Sequence, residues 1–422
     1  MNNCALRFYW SCCFSGMLFC LGSADTLAQS PCQADALVQR NFKRIPELMT
    51  LRQDYLDRMA NTPTQAQGRT VVSISVVVHV VYKSNLENIS DSQIYSQLEV
   101  LNADYRLLNE NASATPTLFT PLAADMEVEF CLAGTDPDGN PTSGIVRRET
   151  PWNNIGQLTA PDGRPRIHYT ELGGNDAWSP EHYLNIWVCS IGGGILGFGA
   201  YPGTAPPAED GVVIDPRYFG TTGLAAFNAP HHLGRTATHE IGHYFNLFHI
   251  WGEDEFSCND DDDVEDTPTQ RGPYLGCPVF PQLSCGNSAM FMNFMDYTND
   301  ACMTLFTAGQ KVRLWATLNS VRAGLMDGVG CSTTAAHSLP SQGAKLHISP
   351  NPVGEMLTVE IENLRPGGML RIFDLTGKLW LATPVGPGSK AKQIDVSGLP
   401  AGVFQLQIFS ETNSRFGLFV KI

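Results

Sequence analysis

The chain has 422 residues, 43% of them apolar, and a formal charge of −15. That length calls for two or three domains with packed cores, and the acidic balance excludes nucleic acid as a natural partner. An acidic surface also suits calcium, although bulk charge more often serves solubility alone.

The first 28 residues read as a secretory signal peptide. Arg7 precedes an interrupted apolar stretch ending near Leu21, too short for a membrane span, and Thr26-Leu27-Ala28 surrounds a cleavage point after Ala28. Cys20 is disfavoured as a lipid attachment point by the bulky Phe19 before it. No later apolar run reaches spanning length, so a mature protein with no transmembrane segment is expected. Residues 29–69 are polar and helix-leaning, with a linker at Asn61-Thr62-Pro63-Thr64-Gln65, and read as a propeptide.

A domain over residues 70–332 follows. Val71 to Tyr82 is a near-continuous β-branched run, the pattern of a central strand buried on both faces, with His79 as a core histidine. Ser90–Leu108 carries helical spacing at Ile94, Leu98, Leu101, Tyr105 and Leu108, with Ser90 or Asp91 as N-cap. Strands are expected at Glu127–Ala133, Tyr183–Ser190, Ile195–Tyr201 and Gly211–Ile214. Cys131 and Cys189 within them read as buried free thiols. The glycine-rich run Gly192–Tyr201 lacks a nucleotide-binding fingerprint and reads as a sheet edge.

Next comes His239-Glu240-Ile241-Gly242-His243, with His249 six residues on. Positions i and i+4 of a helix share a face, so His239 and His243 can aim at one point. Neutral imidazole is a good zinc ligand, and a catalytic zinc takes three protein ligands with a fourth position for water. His249 joins them only if the chain turns sharply near Asn246, where glycine is easiest and asparagine is among the few alternatives. Glu240 is then placed as general base for a zinc-bound water. A core helix with incidental histidines would use Ile241, Phe245 and Phe248 equally well. Such a set of offsets, however, arises by chance only about once in several thousand chains.

Cys258, Cys277, Cys285 and Cys302 crowd the segment after the motif and are expected to form disulfides in an exported protein, with three pairings open. Between the first two lies the acidic run Asn259–Thr267, by itself a solvated loop. Around Pro340 the composition changes. From there to residue 422, short alternating strands (Met356–Ile361, Met369–Asp374, Gln393–Val396, Val403–Phe409, Phe416–Ile422) separated by turns suggest a small β-sandwich.

A long zinc motif followed by a methionine-bearing turn, here Asn293-Phe294-Met295-Asp296-Tyr297, marks the metzincin metallopeptidases. Within that clan the chain resembles the pappalysin family, through HEIGHYFNLFH, Cys258 with Asp266-Thr267-Pro268, and Met295-Asp296-Tyr297 running on to Asp300-Ala301-Cys302-Met303. The likeness covers roughly residues 70 to 330 and departs at Asn246, where the common form has glycine. It implies an α/β fold with a mixed sheet, an active-site helix and an irregular lower subdomain. It also implies a zinc endopeptidase acting on proteins or peptides laid along the glycine-rich edge strand.

Several roles follow from the resemblance. Tyr297 would stabilise the oxyanion, and Met295 would floor the metal site. Asp300 would sit beneath the pocket for the residue after the scissile bond and favour arginine or lysine. The implied disulfides are Cys258–Cys285 and Cys277–Cys302. Asp262, Thr267 and the carbonyls of Glu265 and Cys277 would bind calcium, a cation that takes six to eight oxygens. Cys32 would close the open zinc position as a latency switch; otherwise it is a bystander or a partner of Cys331. Serine-proline-rich SPNPV, FDLTGK, DVSGLPAGVF and the terminal FVKI resemble the C-terminal sorting domain of bacterial type IX secretion. That implies export through that machinery with loss of the tail. Two rivals are a secreted calcium-binding adhesin with a degenerate site, opposed by the intact Glu240 and histidines, and a gluzincin using a downstream glutamate, opposed by His249 and Met295.

Overall fold

The computed structural model describes residues 31–62, 71–253, 256–327, 330–331, 347–360, 368–374, 379–386, 391–410 and 413–422. The signal segment, residues 63–65 of the linker and residues 375–378 of the FDLTGK turn lie outside them.

The leader segment forms two helices, α1 (Ala34–Arg44) and α2 (Glu47–Ala60). Strand β1 (Val72–Tyr82) is the axis of a six-stranded sheet. Its one edge is shared by β2 (Val128–Leu132) and β3 (Ile145–Glu149), and β4 (Leu184–Cys189) pairs with the other; all three run parallel to it. Beyond β4 come β6 (Val212–Ile214), parallel, and the short outer strand β5 (Gly197–Gly199), antiparallel to β6. Both faces are covered, which explains the unbroken apolar text of β1. Ile74, Val76, Val78 and Val80 pack with helices α3 (Asp91–Tyr105) and α4 (Arg235–Tyr244), while Val81 joins Trp187, Ile191 and Leu37 of α1 on the opposite side. His79 is the expected core histidine, hydrogen-bonded to Asn185 and Asn175 and stacked on Trp187.

Three expectations need correcting. The helix capped by Ser90, whose hydroxyl accepts from Gln93 N–H, stops at Tyr105, so Leu108 lies outside it and is exposed. The outer strand is three residues rather than seven, because Gly192, Gly193 and Gly194 all take left-handed backbone and turn the chain before it. Cys131 is not a free thiol: it is disulfide-bonded to Cys331. Residues 330–331 run back beside β2, where Ala133 bridges Cys331 and Gly134 N–H donates to Gly330 O, and this brings the two sulfurs together. Cys189 remains a buried thiol.

Strand β3 and helix α5 (Ala308–Leu318) were not expected. Helix α5 opens with a reciprocal capping box between Thr307 and Gln310. A hairpin of β7 (Leu283–Ser284) and β8 (Asn287–Ser288) lies in the irregular lower half. At the C-terminal end, β9 (His347–Ser349), β10 (Met356–Glu360) and β13 (Ala391–Asp395) form one antiparallel sheet. The other is made of β11 (Gly368–Asp374), β12 (Leu379–Val385), β14 (Gly402–Ser410) and β15 (Asn413–Lys421). Leu357, Val359, Leu370, Ile372, Leu406 and Phe419 fill the core of this all-β sandwich.

Candidate metal centre and active site

All ten residues of α4 are buried, and the helix ends in a Schellman cap: Leu247 N–H donates to Gly242 O and Asn246 N–H to His243 O. Asn246 takes the left-handed position with φ +70°, the turn expected from the motif. Gly242 is needed for a different reason, since a Cβ there would lie 2.5 Å from the Met295 sulfur. The methionine therefore packs directly under the metal-binding helix.

This turn brings the three imidazoles together. The Nε2 atoms of His239, His243 and His249 lie 3.0, 3.1 and 3.3 Å apart. His239 Nδ1 donates to Phe294 O and His243 Nδ1 to Leu247 O, each at 2.8 Å, so these two rings carry their protons on the outer nitrogen. His249 Nδ1 faces Asp35 of α1 at 3.3 Å. The inner lone pairs of His239 and His243 therefore point to the place where His249 Nε2 also arrives. Burial pushes His239 down to about 3, and burial with the neighbouring imidazoles holds His243 well below its usual range. Neutral imidazoles at these separations fit a tetrahedral zinc, whose bound nitrogens lie about 3.3 Å apart. Cys32 Sγ completes the set 3.4 Å from His243 Nε2, and these four ligand atoms all lie within 4.8 Å of one another.

Glu240 stands beside the rings, 3.4 Å from Cys32 Sγ, its carboxyl pushed up to about 8 chiefly by burial. The Tyr297 hydroxyl is 3.1 Å from His249 Nε2. Asp296 accepts from the backbone N–H of Tyr297 and Tyr274 and from Gln270, holding the turn that presents Tyr297. Sequence reasoning gave Asp296 no task of its own, although its place within the Met-Asp-Tyr run was a usable signal. A pocket beside Glu240 is lined by Leu196, His231, Arg235, Tyr297, Met303 and the buried Asp300. Asp300 accepts from Leu233 N–H at 2.7 Å and faces His231 Nδ1 at 3.4 Å.

The leader crosses this cleft. Cys32 bridges Gly197 of β5 in parallel register, and Leu196 N–H donates to Pro31 O at 2.9 Å. Strand β5 lies close on α4 because Gly199 carries no side chain: a Cβ there would stand 2.4 Å from Glu240 O. Burial and the adjacent Glu240 carboxylate push the Cys32 thiol up, so a bound cation is what would draw a thiolate here.

Below the helix the disulfides are Cys258–Cys285 and Cys277–Cys302, the interleaved pair. In the acidic run Asp262 is buried, its Oδ1 accepting from Thr267 Oγ1 and Val264 N–H. Its Oδ2 is buried with no hydrogen-bond partner, an orphaned hard oxygen that fits a calcium ion.

Residues 170–319 match the family model described as pregnancy-associated plasma protein-A, of the peptidase type M43, and residues 347–421 match the secretion system C-terminal sorting domain. An extracellular metalloprotease of Arthroderma gypseum is 30% identical over 286 residues, covering 65% of this chain and 83% of that protein. A promirolysin mutant of Tannerella forsythia superimposes with TM-score 0.64 at 38% identity, over 71% of this chain and 98% of that one. Mature mirolysin of the same organism in complex with a cleaved peptide gives 0.57 at 44%, over 61% and 96%. The chain belongs to the pappalysin family of metallopeptidases. As a pappalysin it is a metalloendopeptidase, the family implies zinc at the histidine cluster, and its tail is a type IX sorting domain that makes it a secreted protein. No described helix is long and apolar enough to cross a membrane.

Proposed function

We propose that the mature enzyme cuts peptide bonds internally with Glu240 as general base and general acid, His239, His243 and His249 holding the zinc. Bound zinc would polarise the attacking water and the scissile carbonyl. Glu240 takes the water proton as attack begins and returns it to the departing amine. Tyr297, with its hydroxyl on the cleft side of His249, donates to the developing oxyanion. Met295 contributes shape beneath the helix. Asp300, in the lining of the adjoining pocket, favours arginine or lysine after the cut.

In the same reading residues 1–28 are a signal peptide, 29–69 a propeptide, 70–332 the catalytic unit and 340–422 the removable export sandwich. Cys32 would occupy the fourth zinc position and keep the zymogen latent. Asp262, Thr267 and the carbonyls of Glu265 and Cys277 would hold a structural calcium.

The observation that carries the mechanism is the convergence of three imidazole Nε2 atoms beside one buried carboxyl. The test is Glu240→Ala: zinc content by metal analysis should match wild type while casein cleavage falls by at least about 10²-fold. Substantial residual turnover would overturn the assignment.

A further inference from the structure

Arg52 of α2 is held with more care than a departing leader needs. Its guanidinium donates to Asn246 Oδ1 at 2.7 Å and to Pro202 O at 2.9 Å, and it lies over the rings of Tyr201 and Phe248 at 5.6 and 5.9 Å. Asn246 occupies a left-handed turn that glycine would form with less strain, and glycine would offer no side-chain acceptor. The turn that aims the metal ligands thus also presents an amide oxygen to the leader helix that carries Arg52.

We propose that these groups form a guanidinium-binding subsite of the mature cleft, which takes an arginine side chain from the substrate segment before the scissile bond. The proposal rests on the reading of residues 29–69 as a propeptide whose removal vacates the site.

Its position follows from β5. The Asp300 pocket lies at the Leu196 end of that strand, against His239. The Arg52 site lies past the other end, where Tyr201 packs 5.0 Å from the His243 ring. A peptide laid along β5 with the residue after the cut over Asp300 sends its earlier residues toward Tyr201 and Pro202. It would run against the leader, whose Cys32 pairs with Gly197 in parallel.

The acceptors select for guanidinium over ammonium. Both directly bonded oxygens are neutral, and the two rings present flat faces, which suits a planar, weakly hydrated, forked donor. Arg313 also faces this place, 4.0 Å from the Phe248 ring, but it is fixed on the carbonyls of Asn246 and Asp262. The Glu253 carboxylate acts in the opposite sense on Arg52. A compact lysine charge would meet Arg313 without the stacking that compensates arginine.

The test uses the secreted, processed enzyme and peptides sharing one scissile bond. Arginine is placed singly at each of roughly six upstream positions, the reach of chain along β5 and past it, and compared with isosteric, uncharged citrulline and with lysine. At one position arginine should lower KM by about tenfold against both, with kcat little changed. The arginine-to-citrulline ratio at that position should fall to near one in Asn246→Gly, a comparison made within the variant. Arginine and citrulline within about twofold at every position would overturn the subsite, as would a preference that survives Asn246→Gly. N-terminal sequencing of the same sample tests the propeptide reading separately: a secreted enzyme that retained Arg52 would sink both.

Discussion

Two carboxylates at the residue scale make opposed demands on solvent. Asp300 is buried in the lining of the pocket, and one of its oxygens accepts from the backbone N–H groups of Leu233 and Arg235 at the start of α4. Asp300→Asn should reduce kcat/KM for peptides with arginine after the cut by about 10- to 100-fold, the value of charge-assisted hydrogen bonds, while apolar competitors change little. A peptide-library profile reads this directly, and an unchanged arginine preference would reject the role. Asp262 is the contrary case, its carboxyl pushed up to about 7 mainly by burial. Without calcium the native state keeps a proton that the unfolded chain releases above about 4. The stability linked to Asp262 is therefore full below about pH 4 and is lost as pH rises toward 7. Thermal melts with EGTA in zinc-replete buffer should show this decline, calcium should reverse it, and Asp262→Asn should flatten it. Identical slopes with and without calcium would refute a calcium site there.

At the scale of elements, the site depends on β5 lying against α4. Gly199→Ala would drive a methyl group into the Glu240 carbonyl, a backbone atom of a fully buried helix. The expected cost is about 1–3 kcal/mol of stability, with a loss of peptidase efficiency because β5 and Glu240 move apart. Urea titration and kcat/KM measure the two effects, and a variant equal to wild type in both would contradict the packing. What was legible in the sequence divides along the same line. Helix α4 with its ligands, the turn at Asn246 and the central strand β1 were readable because their signals are local: i,i+4 spacing, a tolerated left-handed residue, an unbroken β-branched run. Strand β3 was not, since Ile145–Glu149 carries Arg147 and Arg148 on a partly exposed edge and shows no clean alternation. Helix α5 was overlooked although Thr307 and Gln310 spelled its capping box. The contacts of Asp35 with His249 and of Arg52 with Asn246 join residues about 200 apart, and no spacing rule reaches that far.

At the scale of the molecule, the Cys131–Cys331 bond closes a loop of 200 residues that holds α4, the three histidines, Glu240 and Tyr297, while β1 and α3 lie before it. Replacing both cysteines by serine should lower unfolding stability by about 2–4 kcal/mol, read as a shift in the denaturant midpoint. A shift below about 1 kcal/mol would show that the bond is incidental. The same bond was hidden from sequence because Cys131 sits in strand-like text, and only the sheet reveals that residue 331 returns to its side.

That closure bears on what shedding the export sandwich can do. Any nick downstream of residue 331 falls outside the covalent ring, so the hydrolytic core would keep its last residues clipped to β2 whichever bond is severed. Were the tail trimmed during export, the cut would not need to be accurate to leave an intact enzyme, and ragged C-termini would all carry the same cleft.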